Sequence, residues 1–194
     1  MSRYHFIKHF LLINKHKWFV FINCCKLGIP FIGLVHDLSK FSPSEFIKSS
    51  KYYKGTSSPV MEQRKNENLY SSICVHHVKR NKHHFEYWID FYCGDLLLKS
   101  MPYKHALEYV ADVIAASRAY NGINFKHNMP RDYFNARKDR YLMHSATKEF
   151  ITILLNNYAE NGFKNITKKR TKSLYLGLLK NKSEIERVKV LDSE

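Results

Sequence analysis

The apolar run from Trp18 to Val35 approaches the length of a membrane-spanning helix, and what interrupts it decides what this chain can fold into. Asn23, Lys26, Gly28 and Pro30 break the run, and the pair His36-Asp37 closes it. Gly28 followed by Pro30 is a helix stop. Glycine accepts the left-handed conformation that ends a helix, and proline cannot donate the next backbone hydrogen bond. Two buried helices joined by a Gly-x-Pro turn satisfy the pattern better than one span, so no membrane partner is expected.

The same punctuation recurs along the chain. A first helix is expected from Tyr4 or Asn14 to Leu27, and a short second one over Phe31 to Leu38. Ser42-Pro43-Ser44-Glu45 has the form of a capping box with proline at the first helical position, which starts a helix near Pro43. Gly55 to Pro59 reads as a loop and Tyr70 to Val78 as helix, with a break around Cys93-Gly94-Asp95. Further helices follow from Pro102 to Asn121-Gly122, from Asn128-Met129-Pro130, and from Ser145 to Tyr158. No convincing alternation with period two is present, so the expected fold class is all-α. The 194 residues suit a single core. We place a helical domain at residues 1–162 and a basic helical extension over 163–194, packed on it or trailing from it.

A formal net charge of +15 calls for an anionic partner or substrate. Lys and Arg are scattered along the whole chain, and the tail from Lys164 to Lys182 is strongly basic, through which a nucleic-acid contact is open. The cysteines Cys24, Cys25, Cys74 and Cys93 lack Cys-x-x-Cys spacing, and no secretory signal opens the sequence. A reducing, cytoplasmic setting is expected.

The chemistry-bearing residues fall on separate helices. His16 lies in the first and His36-Asp37 at the end of the second. His76, His77, His83 and His84 lie in the middle region, and Asp112 in the helix that starts at Pro102. At 100° per residue Tyr103, Leu107, Val110 and Ile114 share a core face, while Asp112 sits among Ala115, Ala116 and Ala119. An acid among alanines suggests a closely approaching helix and an enclosed carboxylate, which needs either a cation from Lys or Arg or a metal ion. If 76–88 were one helix, His77 and His84 would be two turns apart, roughly 10 Å, too far to share one ion. Which histidine of each doublet points inward is left open, and His144 is a reserve candidate. Lys79 to Lys82 between the doublets form a candidate phosphate-binding surface.

In that order these residues resemble the HD superfamily of metal-dependent phosphohydrolases: His36-Asp37-Leu38-Ser39-Lys40 is similar to its His-Asp-x-x-Lys signature. More narrowly, residues 36–46 and 76–88, and the helix from Met101-Pro102 through Ala116-Ser117-Arg118-Ala119-Tyr120, resemble DUF5662, a small family of bacterial and phage proteins. The superfamily resemblance implies an HD-domain-like helical bundle around a central site for one or two divalent ions. It implies His16, His36, Asp37 and Asp112 as ligands, Asp37 bridging, and His77 and His84 at a second position. His76, His83 and Glu108 would stand behind the ligands. Asp37 and Lys40 would be catalytic, and Lys40, Arg80, Lys82 and Arg118 would bind substrate. Nitrogen and oxygen ligation favours Mn, Fe, Mg or Co over Zn.

The function expected is hydrolysis of a nucleotide or other phosphate ester. Two alternatives stand beside it. One is a di-iron oxygenase of the same helical fold, and the other a non-catalytic nucleic-acid-binding or interaction protein.

Overall fold

The computed structural model describes residues 3–189; residues 1–2 and 190–194, the outer ends of the two expected segments, lie outside the described residues. The helices are α1 (Arg3–Lys26), α2 (Pro30–Val35), α3 (Pro43–Tyr52), α4 (Pro59–Asn66), α5 (Ser72–Val78), α6 (Tyr103–Asn121), α7 (Met129–Asn135), α8 (Ser145–Asn161) and α9 (Lys168–Lys180). Gly28 takes φ 75° behind α1, and Pro30 opens α2, as the Gly-x-Pro stop requires. No helix among the described residues is long and apolar enough to cross a membrane.

The core is built on α1 against α6. The two run antiparallel, with Asn23 Nδ2 donating to the Ala111 carbonyl at 3.0 Å and Lys15 Nζ to that of Ala119 at 3.4 Å. Ala111, Ala115 and Ala119 are buried along this contact, and small side chains let helix axes approach closely. The other side of α6 packs on α8 through Leu107, Val110, Phe150, Ile151 and Leu154. Gly33 lets α2 settle on α1: a Cβ there would fall 2.6 Å from Cys24 Cβ and 3.0 Å from Phe21 Cα.

An all-α fold is not what forms. β1 (Ile89–Tyr92), β2 (Asp95–Lys99) and β3 (Ile185–Lys189) make a small antiparallel sheet in the order β1-β2-β3. The expected break at Cys93-Gly94 is a two-residue hairpin loop, with φ 49° and 83° at its two positions and Tyr92 opposite Asp95. Positive φ at both central residues is the geometry whose twist matches paired strands. β3 sits in the basic tail and pairs Leu97 with Arg187 across the sequence. The tail is therefore packed on the bundle: Tyr175 of α9 is buried, its ring centred 5.0 Å from that of Phe150.

The capping box also needs correction. α3 starts at Pro43 with Ser42 at its N-cap, yet no side-chain cap bond forms. Ser42 Oγ donates to the Ser39 carbonyl instead, and Glu45 turns inward, where it is buried.

Candidate metal centre

Four segments bring their polar side chains to one point. α1 supplies His16, the turn after α2 supplies His36 and Asp37, α5 and the loop behind it supply His77, His83 and His84, and α6 supplies Glu108 and Asp112. Asp37 takes a left-handed backbone conformation, φ 53° and ψ 29°, between α2 and the short helical turn Leu38–Phe41. Such a conformation is uncommon for a residue with a side chain, and aspartate is among the few that accept it. It turns two successive side chains, His36 and Asp37, into the same enclosure.

The inward atoms are imidazole Nε2 nitrogens and carboxylate oxygens. His16 Nε2 lies 3.0 Å from Asp112 Oδ1, and His36 Nε2 lies 3.2 Å from Asp37 Oδ2 and 3.6 Å from Asp112 Oδ1. On the other side of Asp37, Oδ1 is 3.3 Å from His77 Nε2 and 3.6 Å from His83 Nε2. His83 Nε2 is 3.9 Å from Asp112 Oδ2. One ligand atom each from His16, His36, Asp37 and Asp112 lies within 4.8 Å of the others, and the same holds for His77, His83 and His84. Nε2 of His16, His36 and His83 and Oδ1 of Asp37 are buried without a hydrogen bond, while Asp37 Oδ2 has the Lys40 ammonium beside it. Buried polar atoms left this way are costly, and a cation between them removes the cost. These donors, all nitrogen and oxygen, fit one or two divalent ions.

The outward nitrogens of His36, His77 and His83 are held by carboxylates. Glu108 Oε1 meets Nδ1 of His36 at 3.0 Å and Nδ1 of His83 at 3.3 Å, while its Oε2 meets Nδ1 of His105 at 3.0 Å. Glu45 Oε1 meets Nδ1 of His77 at 2.8 Å, and Glu45 Oε2 accepts from Ser39 Oγ at 2.9 Å. Asn81 Nδ2 ties this layer to Ser39 Oγ at 2.8 Å and to the His77 carbonyl at 2.7 Å. A carboxylate behind a histidine fixes its tautomer and ring orientation and leaves the inner nitrogen to a metal.

Electrostatics follow from that enclosure. Burial alone would raise the pKa of Asp37, but His36, Lys40 and His77 outweigh it and hold the carboxyl well below its usual range. Burial likewise opposes ionisation of Asp112, and the adjoining His16 and His36 imidazoles reverse it. Glu108 is also lowered against its burial, by His105, His36 and His83. His36 is raised well above an ordinary histidine: burial disfavours its charge, and Asp37, Asp112 and Glu108 more than compensate. Burial dominates at His16 and His84 and lowers both. Lys40 Nζ stands 2.6 Å from Asp37 Oδ2 with a third of its side chain open to solvent, and Asp37 and Asp112 raise its pKa against the effect of burial.

The doublets do not lie on one continuous helix. α5 ends at Val78, and the chain turns through Lys79 to Asn81, so the rings of His77 and His84 meet at 4.7 Å instead of standing two turns apart. His83, expected behind the ligands, presents its inner nitrogen to Asp37 and Asp112. Glu108 lies behind His36 and His83, and His76 lies on the outer side of Glu45, 3.7 Å from Oε2. The phosphate-binding candidates separate from one another. Only Lys40 touches the cluster. Arg80 is exposed and bonds the His76 carbonyl, and Lys82 is exposed over the Tyr87 ring. Arg118 stacks on Phe19 and lines a separate cleft of about 540 Å³ with Lys26, Tyr158 and Phe163. His144 is not near the cluster: Nδ1 accepts from the Ala146 amide at the start of α8, and Nε2 donates to the Ser183 carbonyl. Sequence reading missed Glu45, Asn81 and His105 as members of the site. The one signal for Glu45, its place in Ser-x-x-Glu, pointed to a helix cap.

The sequence profile of a family of unknown function, DUF5662, matches residues 5–157, a span that contains every side chain of the cluster. No curated protein and no solved structure matches the chain.

Proposed function

The chain belongs to the DUF5662 family, and for this member we propose a metal-dependent phosphohydrolase of the HD type, acting on a nucleotide or another phosphate ester. The observation that carries the reading is the double engagement of Asp37. Its Oδ2 faces His36 and Lys40, and its Oδ1 faces His77 and His83, as a carboxylate between two cations would. On this reading His16, His36, Asp37 and Asp112 would hold one divalent ion, and His77 and His83, with His84, would hold a second. Mn, Fe, Mg or Co suits such a donor set better than Zn. Divalent ions held there would lower the pKa of a water molecule and withdraw charge from a phosphoryl oxygen.

The chain's own residues supply the rest. Glu108 keeps His36 and His83, and Glu45 keeps His77, in the tautomer that leaves Nε2 free. Lys40, anchored at Asp37 and partly open to solvent, offers its ammonium to a non-bridging phosphoryl oxygen as charge builds there. The surplus of basic residues favours anionic substrates on approach. The basic tail leaves room for a nucleic-acid partner.

The test is hydrolysis of p-nitrophenyl phosphate, its diester and a panel of nucleotides by Mn-loaded protein. Turnover is expected to vanish in Asp37→Ala together with bound metal. In Lys40→Met, kcat is expected to fall at least about tenfold with metal retained. Wild-type turnover in Asp37→Ala overturns the reading, as does product formation only by iron-loaded protein in air.

A further inference from the structure

The apolar run that is too interrupted to span a bilayer leaves a large part of itself on the surface. Ile7, Leu11 and Trp18 are exposed on α1, and Phe31, Leu34, Val35 and Leu38 on α2 and the turn after it. Phe31 is 82% exposed and Leu11 60%. Single exposed apolar residues are ordinary on a protein surface, but a contiguous set is not.

On α1 the set shares one side of the helix, with Asn14 between Leu11 and Trp18. At 3.6 residues per turn Ile7, Leu11 and Trp18 fall within roughly 40° of one another around α1. The Trp18 ring centre lies 5.8 Å from that of Phe21, and the backbone of Phe21 is where Gly33 of α2 sits. α2 is therefore seated beside the Trp18–Phe21 end of the stripe. The exposed Lys8, Lys15 and Lys26 stand on the row of α1 that borders the stripe on its other side, with Lys15 also donating to the Ala119 carbonyl and Lys26 lying over the Phe163 ring.

The charge of this segment has one sign. No Asp or Glu precedes Asp37, which is itself buried in the cluster, whereas Arg3, Lys8, Lys15, Lys17 and Lys26 all lie before it. A helix face of Trp, Phe and Leu edged only by cations has the pattern of a helix that lies in a membrane interface. Against the expectation of no membrane partner drawn from the interrupted run, we propose that the face formed by α1 and α2 docks on an anionic phospholipid surface, with the apolar stripe entering the headgroup region and the lysines on the headgroup phosphates. A second copy of the chain fits less well. A two-fold pairing sets the face against itself, lysine row near lysine row, with no carboxylate from this segment between them. The proposal does not depend on the chemistry at the metal centre, although Val35 directly precedes His36 and puts the centre beside the docked face.

The experiment is sedimentation of the full-length, metal-loaded protein with two kinds of vesicle, pure phosphatidylcholine and phosphatidylcholine mixed with phosphatidylglycerol. The protein is expected to pellet with the mixed vesicles, less so in high salt, and to stay in solution with the neutral ones. Trp18→Asp combined with Phe31→Asp is expected to cut the bound fraction's partition coefficient about tenfold or more. Lys8→Glu combined with Lys15→Glu should weaken it in the same direction, with unchanged circular dichroism in each case. Wild-type protein that ignores both vesicles overturns the proposal. So does a folded Trp18/Phe31 variant that pellets like wild type, or a wild-type dimer in light scattering that this variant dissociates.

Discussion

Glu108 Oε1 stands 3.0 Å from Nδ1 of His36, a residue 72 positions earlier in the chain, and so decides which nitrogen of that ring faces Asp37 and Asp112. The same oxygen reaches His83. One carboxylate of α6 thereby sets two imidazoles that approach the cluster from different segments.

Glu108→Gln keeps the size of that side chain and removes its charge. Metal affinity, read by competition with a chelator, is expected to fall about 10- to 100-fold, with the helical content unchanged. An unaltered affinity would show that Glu108 does not position the ligands.

Gly33→Ala tests the seat of α2. The added methyl group meets Cys24 and the Phe21 backbone, so α2 must lift from α1 and carry His36 and Asp37 with it. A loss of about 1–3 kcal/mol in unfolding free energy is expected, along with weaker metal binding. Denaturant titration and chelator competition on the same sample check both.

His9 gives the account a pH dependence away from the ligands. Its ring is buried against Phe46 and Tyr53 with Nε2 2.8 Å from Ser49 Oγ. Burial, helped by the charge of Lys40, lowers its pKa from 6.5 to about 4. The folded state therefore favours the neutral ring. The stability it contributes is fully present above pH 6.5 and is lost as pH falls toward about 4, where the unfolded chain binds a proton that the folded one resists. In His9→Gln the unfolding free energy should decline less steeply over that window than in wild type. Parallel profiles would contradict the assignment.

The helices were legible because their ends are written locally. Gly28 with Pro30, Pro43 after Ser42, and Asn121 before Gly122 each mark a boundary that the backbone obeys. The sheet was not, because β3 owes its conformation to β2, ninety residues away, and its own Ile-Glu-Arg-Val-Lys stretch reads as another piece of basic tail. In the site, Asp112 could be picked out because an acid among alanines is a poor surface pattern, and His36 and Asp37 because further histidines and Asp112 fall on separate helices around the pair. The choice between His83 and His84 could not, since it turns on where α5 stops. Glu45 shows a third limit. Its spacing from Ser42 satisfies a capping box and a histidine partner equally, and only the arrival of His77 decides between them.

Everything proposed about chemistry depends on a cation between Asp37, Asp112 and the surrounding imidazoles. Elemental analysis of protein purified without chelator measures it directly, with Asp37→Ala prepared alongside. The account predicts one to two equivalents of a divalent transition metal or Mg per wild-type chain and essentially none in the variant. A wild-type protein that stays metal-free after dialysis against Mn, Fe, Mg, Co and Zn would contradict it.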